Sequence, residues 1–170
     1  KIFNEKGADE LMVIDIDATK EKRTVSAKLV KQVGEEANMP FAVGGGIRSL
    51  DDIQNLISWG AEKIIINSYA AENPDFIRQA SNDFGSSTIV VCIDVKKKFL
   101  GKRVTWTHGA TKSTNFSPID LAKLVEDKGA GEIIIQSIQR DGTMQGYDLK
   151  LLEKITKSVG IPVIPGSENS

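Results

Sequence analysis

The chain has 170 residues, 40 % apolar and 26 % charged, with a net charge of -1 and one cysteine. That length usually makes one domain with a sizeable core, and near-neutral charge excludes a global field that would recruit nucleic acid or an acidic membrane. The lone cysteine excludes an internal disulfide and no stretch is apolar enough to span a bilayer, so the expected setting is the cytoplasm, with no nucleic acid and no membrane as partner.

Short apolar runs alternate with longer amphipathic ones. Leu11–Ile14 reads as a buried strand, and Thr24 to Ala37 as a helix with Val25, Leu29, Val30 and Val33 on one face. Phe41–Val43 is the next strand and stops at Gly44-Gly45-Gly46. Ser49 reads as an N-cap, with Asp51 and Asp52 in the first turn, and that helix ends near Gly60. Lys63–Asn67 is a strand, Asn73-Pro74 opens a helix, and Thr88–Ile93 is a strand that ends at Asp94. Residues 96–115 break the rhythm. Arg103–Thr107 alternates like a surface strand between Gly101 and Gly109, which predicts a hairpin-like excursion. Ser117-Pro118 then starts a helix, Glu132–Gln136 is a strand, Asp148 to Val159 a helix, and Ile161–Ile164 a final strand.

About six solidly apolar strands alternating with helices predict a parallel sheet covered on both faces. Alternation alone fits a doubly wound sheet or a (β/α)8 barrel, and two features favour the barrel. Polar and glycine residues gather where strands end, as at the active rim of such barrels. The chain also repeats itself. Gly7-Ala8-Asp9-Glu10-Leu11 returns as Gly129-Ala130-Gly131-Glu132-Ile133, and the same offset of 122 residues carries Met39-Pro40 onto Ile161-Pro162. The counterpart of Asp94 in the first copy would fall ahead of Lys1, so the expected architecture is a two-copy barrel with an early segment, and a late one, missing.

Asp94 is the strongest candidate for proton transfer. A carboxylate closing an apolar run is costly unless exposed at a mouth or partnered, and partial desolvation there raises its pKa; an ordinary strand-end cap is the alternative. Gly45 and Gly46 let a ligand approach backbone N–H groups closely, as a phosphate requires, with a tight turn as the alternative. Asn67-Ser68 follows the neighbouring strand and adds donors at the same spot. Arg140-Asp141-Gly142-Thr143 suggests a second anion-binding loop, or a plain turn. Phosphate loops on opposite sides suit a substrate phosphorylated at both ends. Asp15 has a setting like that of Asp94 but neighbours Asp17, so one of the two is expected to serve only the loop. His108 is the sole histidine and reads as an exposed loop residue; with no second histidine and no cysteine cluster, no metal site is expected. Glu10, Lys63 and Glu132 open three strands, which places opposite charges on the N-terminal face as a salt-bridge network or as a gate to an axial opening.

Taken in order, these motifs resemble the cyclase subunit of imidazole glycerol phosphate synthase. The matching segments are Glu10 to Ala18, Pro40 to Ile47, Lys63 to Asn67, Val91 to Lys96, Gly129 to Glu132, and Ser137 to Thr143 with Gly146 to Asp148. The resemblance implies a (β/α)8 barrel of two similar halves, here incomplete, forming one partial domain over residues 1–170. It implies an ammonia-dependent lyase of histidine biosynthesis that cyclises a bis-phosphorylated ribulosyl-formimino aminoimidazole carboxamide ribotide, without a cofactor. A glutaminase subunit docked on the N-terminal face would be its partner. Asp94 matches a catalytic aspartate; Gly46, Asn67 and Ser68 match one phosphate site, which Gly45 adjoins; Asp141 and Gly142 match part of the other. Glu10, Lys63 and Glu132 match an ammonia gate, and Asp15 and Ser137 are candidates for support. Gln136 and Gln139 stand where the family carries a small polar residue and an aspartate, and the tail after Ile164 departs from its pattern. Ile14 to Ala18 also resembles a cyclase-like branch tied to surface-polysaccharide synthesis, which implies a sugar nucleotide as substrate. A two-phosphate isomerase of the same pathway, and a non-catalytic piece that binds phosphate or self-associates, are the other readings.

Overall fold

The structure is a computed structural model and describes residues 10–97, 101–138 and 149–166. The elements are β1 (Leu11–Ile14), α1 (Ala27–Glu36), β2 (Phe41–Gly44), α2 (Leu50–Ser58), β3 (Lys63–Ile66), α3 (Ser68–Glu72), α4 (Pro74–Phe84), β4 (Ile89–Lys97), β5 (Arg103–Thr107), β6 (Lys112–Ser113), α5 (Pro118–Asp127), β7 (Glu132–Ser137), α6 (Leu149–Ser158) and β8 (Val163–Pro165). Six strands are parallel and run in the order β1-β2-β3-β4-β7-β8. The sheet curls as a partial (β/α)8 barrel. The short β5 and β6 pair antiparallel and hang from the far end of β4.

Strand parity sorts the sheet into two faces. Val13, Val43, Ile64, Ile66, Val91, Ile93, Ile133 and Ile135 pack with the helices in one large core. Their alternates Ala42, Ile65, Val90, Cys92 and Ile134 form a second, smaller cluster with Met12 against it. That second face is the concave one. By the same alternation Glu10, Lys63 and Glu132 lie on it at the N-terminal end, and Asp94 and Gln136 at the C-terminal end.

The repeat seen in the sequence is a repeat of contacts. Leu11 N–H donates to Pro40 O at 3.1 Å, and Ile133 N–H donates to Pro162 O at 2.9 Å. Leu11 pairs with Phe41 as Ile133 pairs with Val163, all at the offset of 122. A two-copy barrel explains why both the residues and their partners recur.

Local chemistry accounts for the element ends. The Ser49 hydroxyl accepts Asp52 N–H while the Asp52 carboxylate accepts Ser49 N–H, a reciprocal box that satisfies two orphan donors at the start of α2. Several boundaries depart from expectation. The first helix begins three residues after Thr24, because Val25 is buried outside any helix with its N–H on Gly45 O. The third strand stops at Ile66, and Asn67, with φ -111 and ψ -99, turns the chain straight into α3. The fourth strand does not end at Asp94. It runs on to Lys97, since β5 supplies the hydrogen bonds that the barrel neighbours no longer can.

Candidate active site

Asp94 sits on β4 three residues beyond Val91, the last residue that pairs with β3, so it stands at the C-terminal rim of the concave face. It is only 5 % exposed. Burial pushes its carboxyl up to about 6, and the one opposing influence is a hydrogen bond from Asn67 Nδ2 to Oδ2 at 3.2 Å. Burial wins because one neutral amide replaces only part of the water a carboxylate loses. A carboxyl poised near 6 both accepts and gives up a proton readily at neutral pH. Cys92, two residues earlier on the same face, is held far from ionisation by burial and by the Asp94 charge, so it acts as a small apolar side chain.

Two residues flank Asp94 across the sheet. Gln136 is its partner on parallel β7 and Trp106 its partner on antiparallel β5. Lys96 Nζ lies 4.4 Å from the centre of the Trp106 ring. Gln136 is marked in the sequence by its departure from the family pattern, whereas Trp106 is not, because register between strands is needed to bring it beside residue 94.

The glycine loop has a packing reason of its own. Gly46 has φ 65, and a Cβ there would lie 1.8 Å from Arg23 O; one on Gly45 would lie 2.8 Å from Asp15 O. The β1–α1 loop thus rests directly on the glycines. Asp15 fastens that loop. Both its oxygens take the Arg23 guanidinium and Oδ1 also takes Asp17 N–H at 3.2 Å. The Arg23 bond holds the Asp15 carboxyl below its ordinary value, outweighing burial. Asp15 is engaged in this clasp and does not meet Asp94.

Ser68 is buried at the start of α3, and its Oγ accepts the backbone N–H of His108 at 2.8 Å. His108 is not a free loop residue. It has φ 54, and its ring Nε2 contacts the Glu72 carboxylate, whose other oxygen takes Arg48 at 3.5 Å. Ser137 closes β7 opposite Val95, one step out of phase with the face that holds Asp94. Asp141 and Gly142 lie outside the described residues.

At the opposite end of the concave face, Lys63 Nζ is 3.1 Å from a Glu10 oxygen and 3.2 Å from Glu132 Oε2. Glu132 opens β7, while Glu10 stands one residue ahead of β1. Burial disfavours the Lys63 charge, yet its two carboxylate hydrogen bonds hold the ammonium above its ordinary pKa. Among the described residues no helix is long and apolar enough to cross a membrane, and no three His, Cys, Asp or Glu side chains gather as metal ligands would.

Comparison with known proteins places this geometry in context. Residues 1–167 match the family model described as histidine biosynthesis protein. The chain is 43 % identical over 162 residues to the imidazole glycerol phosphate synthase subunit HisF of Metallosphaera sedula, covering 95 % of the chain and 64 % of that protein. It is 45 % identical over 163 residues to the subunit of the same name from a Hydrogenobaculum species, and 40 % identical over 164 residues to that of Alkaliphilus metalliredigens; each covers 96 % of the chain and 65 % of the relative. The chain therefore spans slightly less than two thirds of the length of these relatives.

Proposed function

The chain belongs to the family of histidine biosynthesis proteins, and from that premise we propose that it carries the cyclase chemistry of imidazole glycerol phosphate synthase. In this reading ammonia from a glutaminase subunit enters at the N-terminal face. At the C-terminal rim it meets a ribulosyl-formimino aminoimidazole carboxamide ribotide with a phosphate at each end, and imidazole glycerol phosphate forms. Asp94 is the proton carrier. The observation that carries the reading is the buried Asp94 carboxyl, with a pKa of about 6, on the same sheet face as the Glu10-Lys63-Glu132 cluster. The names of the aligned relatives support the reaction, and the opposite ends of one concave face suit entry at one side and chemistry at the other.

In the same reading Asn67 orients the Asp94 carboxyl through Oδ2, leaving Oδ1 for the substrate. Gly45, Gly46, Asn67 and Ser68 grip one phosphate, and Asp141 with Gly142 belongs to the grip on the other. Lys63, flanked by two carboxylates, guards the axial entry. The setting in this reading is the cytoplasm.

The test is turnover with free ammonia. The enzyme is expected to release aminoimidazole carboxamide ribotide in proportion to ammonia supplied, and Asp94→Asn to abolish that release while the circular dichroism spectrum stays unchanged. Isomerisation of the substrate without any need for ammonia would point to the pathway's sugar isomerase instead. Near-normal ammonia-dependent turnover by Asp94→Asn would remove the proton-carrier role.

A further inference from the structure

We propose that His108 is a positioning residue for the phosphate end of the substrate, acting through Ser68; the inference rests on the reading of Asn67-Ser68 as a phosphate-binding segment. The Ser68 hydroxyl is buried at the rim and accepts the His108 backbone N–H at 2.8 Å. That contact occupies an acceptor site and leaves the hydroxyl's own hydrogen to be donated, for which an anionic oxygen is the best acceptor. The direction in which Ser68 donates therefore depends on where the backbone of residue 108 is held.

That backbone is held by its own side chain, together with the Thr111 hydroxyl, which donates to His108 O at 2.8 Å. At φ 54, residue 108 has a left-handed conformation that a side-chain-bearing residue keeps only when its surroundings fix it. The imidazole supplies the fixture by docking Nε2 on the Glu72 carboxylate. The second Glu72 oxygen takes Arg48, two residues past the glycine loop. One run of contacts thus joins the glycine loop, the segment after β3 and the tip of the β5–β6 hairpin. The recognised chemistry is a phosphate monoester, gripped at a geometry the hairpin tip sets.

A double-mutant cycle read by calorimetric binding of inorganic phosphate tests this. Ser68→Ala is expected to weaken phosphate by about tenfold, the loss of one hydrogen bond to a charged group. His108→Ala, which keeps the backbone N–H but loses the anchor, should weaken it by about threefold. The double variant should bind as Ser68→Ala does, because both changes act through one hydroxyl. His108→Gln, whose amide can donate to Glu72, should return to within about twofold of the parent. Unchanged binding by His108→Ala beside a weakened Ser68→Ala overturns the inference alone, as do losses that multiply in the double variant or a glutamine that restores nothing. Unchanged binding by Ser68→Ala overturns the phosphate reading itself. If His108→Ala fails to fold, Glu72→Ala removes the same anchor from the other side; it is expected to weaken phosphate similarly, and unchanged binding again overturns the inference.

Discussion

Replacing Asp94 by asparagine should make the protein more stable at neutral pH while removing the proposed chemistry. The carboxyl rises from an ordinary 3.8 to about 6 on folding, and each pKa step is worth roughly 1.4 kcal/mol, so the ionised group costs the fold about 3 kcal/mol above pH 6. Between about pH 4 and pH 6 the folded chain holds more proton at this position than the unfolded chain. Its contribution to stability is therefore complete below the ordinary value of 3.8, falls as pH rises through that window, and is flat beyond it. Asparagine cannot ionise and keeps an oxygen for the Asn67 amide. Its advantage should be near zero at pH 4 and reach about 2 to 3 kcal/mol at pH 8. Urea unfolding of both proteins from pH 4 to pH 8 measures the difference directly. An asparagine variant that gains nothing between those limits, or is weaker at pH 8 than at pH 4, would refute the claim that burial has raised this carboxyl.

Three further outcomes follow from particular contacts. Asn67→Ala removes the only influence that lowers the Asp94 pKa, so the carboxyl should titrate above 6, as followed by its carbon-13 NMR signal; a lower value contradicts the assignment. Gly46→Ala must place a methyl group 1.8 Å from Arg23 O at φ 65, and urea unfolding should show a loss of at least about 2 kcal/mol. Lys63→Met leaves the half-buried Glu10 and Glu132 carboxylates without their shared cation; a loss of about 1 kcal/mol is expected in low salt and a smaller one in high salt, whereas Glu132→Gln, which leaves Lys63 bonded to Glu10, should cost less.

Much of this is legible in the sequence. Solid apolar runs named the parallel strands, because a strand buried on both faces has no polar alternate to show. Ser49 as an N-cap, with Asp51 and Asp52 in the first turn, marks the start of α2, while the reciprocal Ser49–Asp52 box shows only in the structure. The repeated Gly-Ala-x-Glu and Pro markers foretold equivalent contacts, since a duplicated unit must rebuild the same ladder. What stayed hidden depends on register and docking. The extension of β4 past Asp94 needs β5 beside it, and polar Lys96 and Lys97 carry no strand signal alone. Gln136 and Trp106 become neighbours of Asp94 only once two other strands are aligned. His108 looked like a loop residue because its partners, Ser68 and Glu72, lie 40 and 36 residues away. Glycines 45 and 46 read as a place for a ligand, and their closest neighbour proves to be the chain itself.

The concave face has a vertical order with a chemical consequence for the proposed reaction. Charge lies at one end, where duplicated Glu10 and Glu132 converge on Lys63. Charge or its precursor lies at the other, in Asp94. Between them, among the described residues, stand the apolar side chains of Met12, Ala42, Ile65, Val90, Cys92 and Ile134. An ammonium ion moving along this layer would give up its hydration without a counter-ion, at a cost on the order of several kcal/mol. Neutral ammonia gives up far less. In the proposed reaction such a layer would favour the neutral form, so that the nitrogen crossing it would reach Asp94 with its lone pair free. A carboxyl that itself carries a proton part of the time near pH 6 is then matched to the arriving base. One polar substitution in the layer, Ala42→Asp, would place a second carboxylate on the route and trap the cation that the apolar face keeps out.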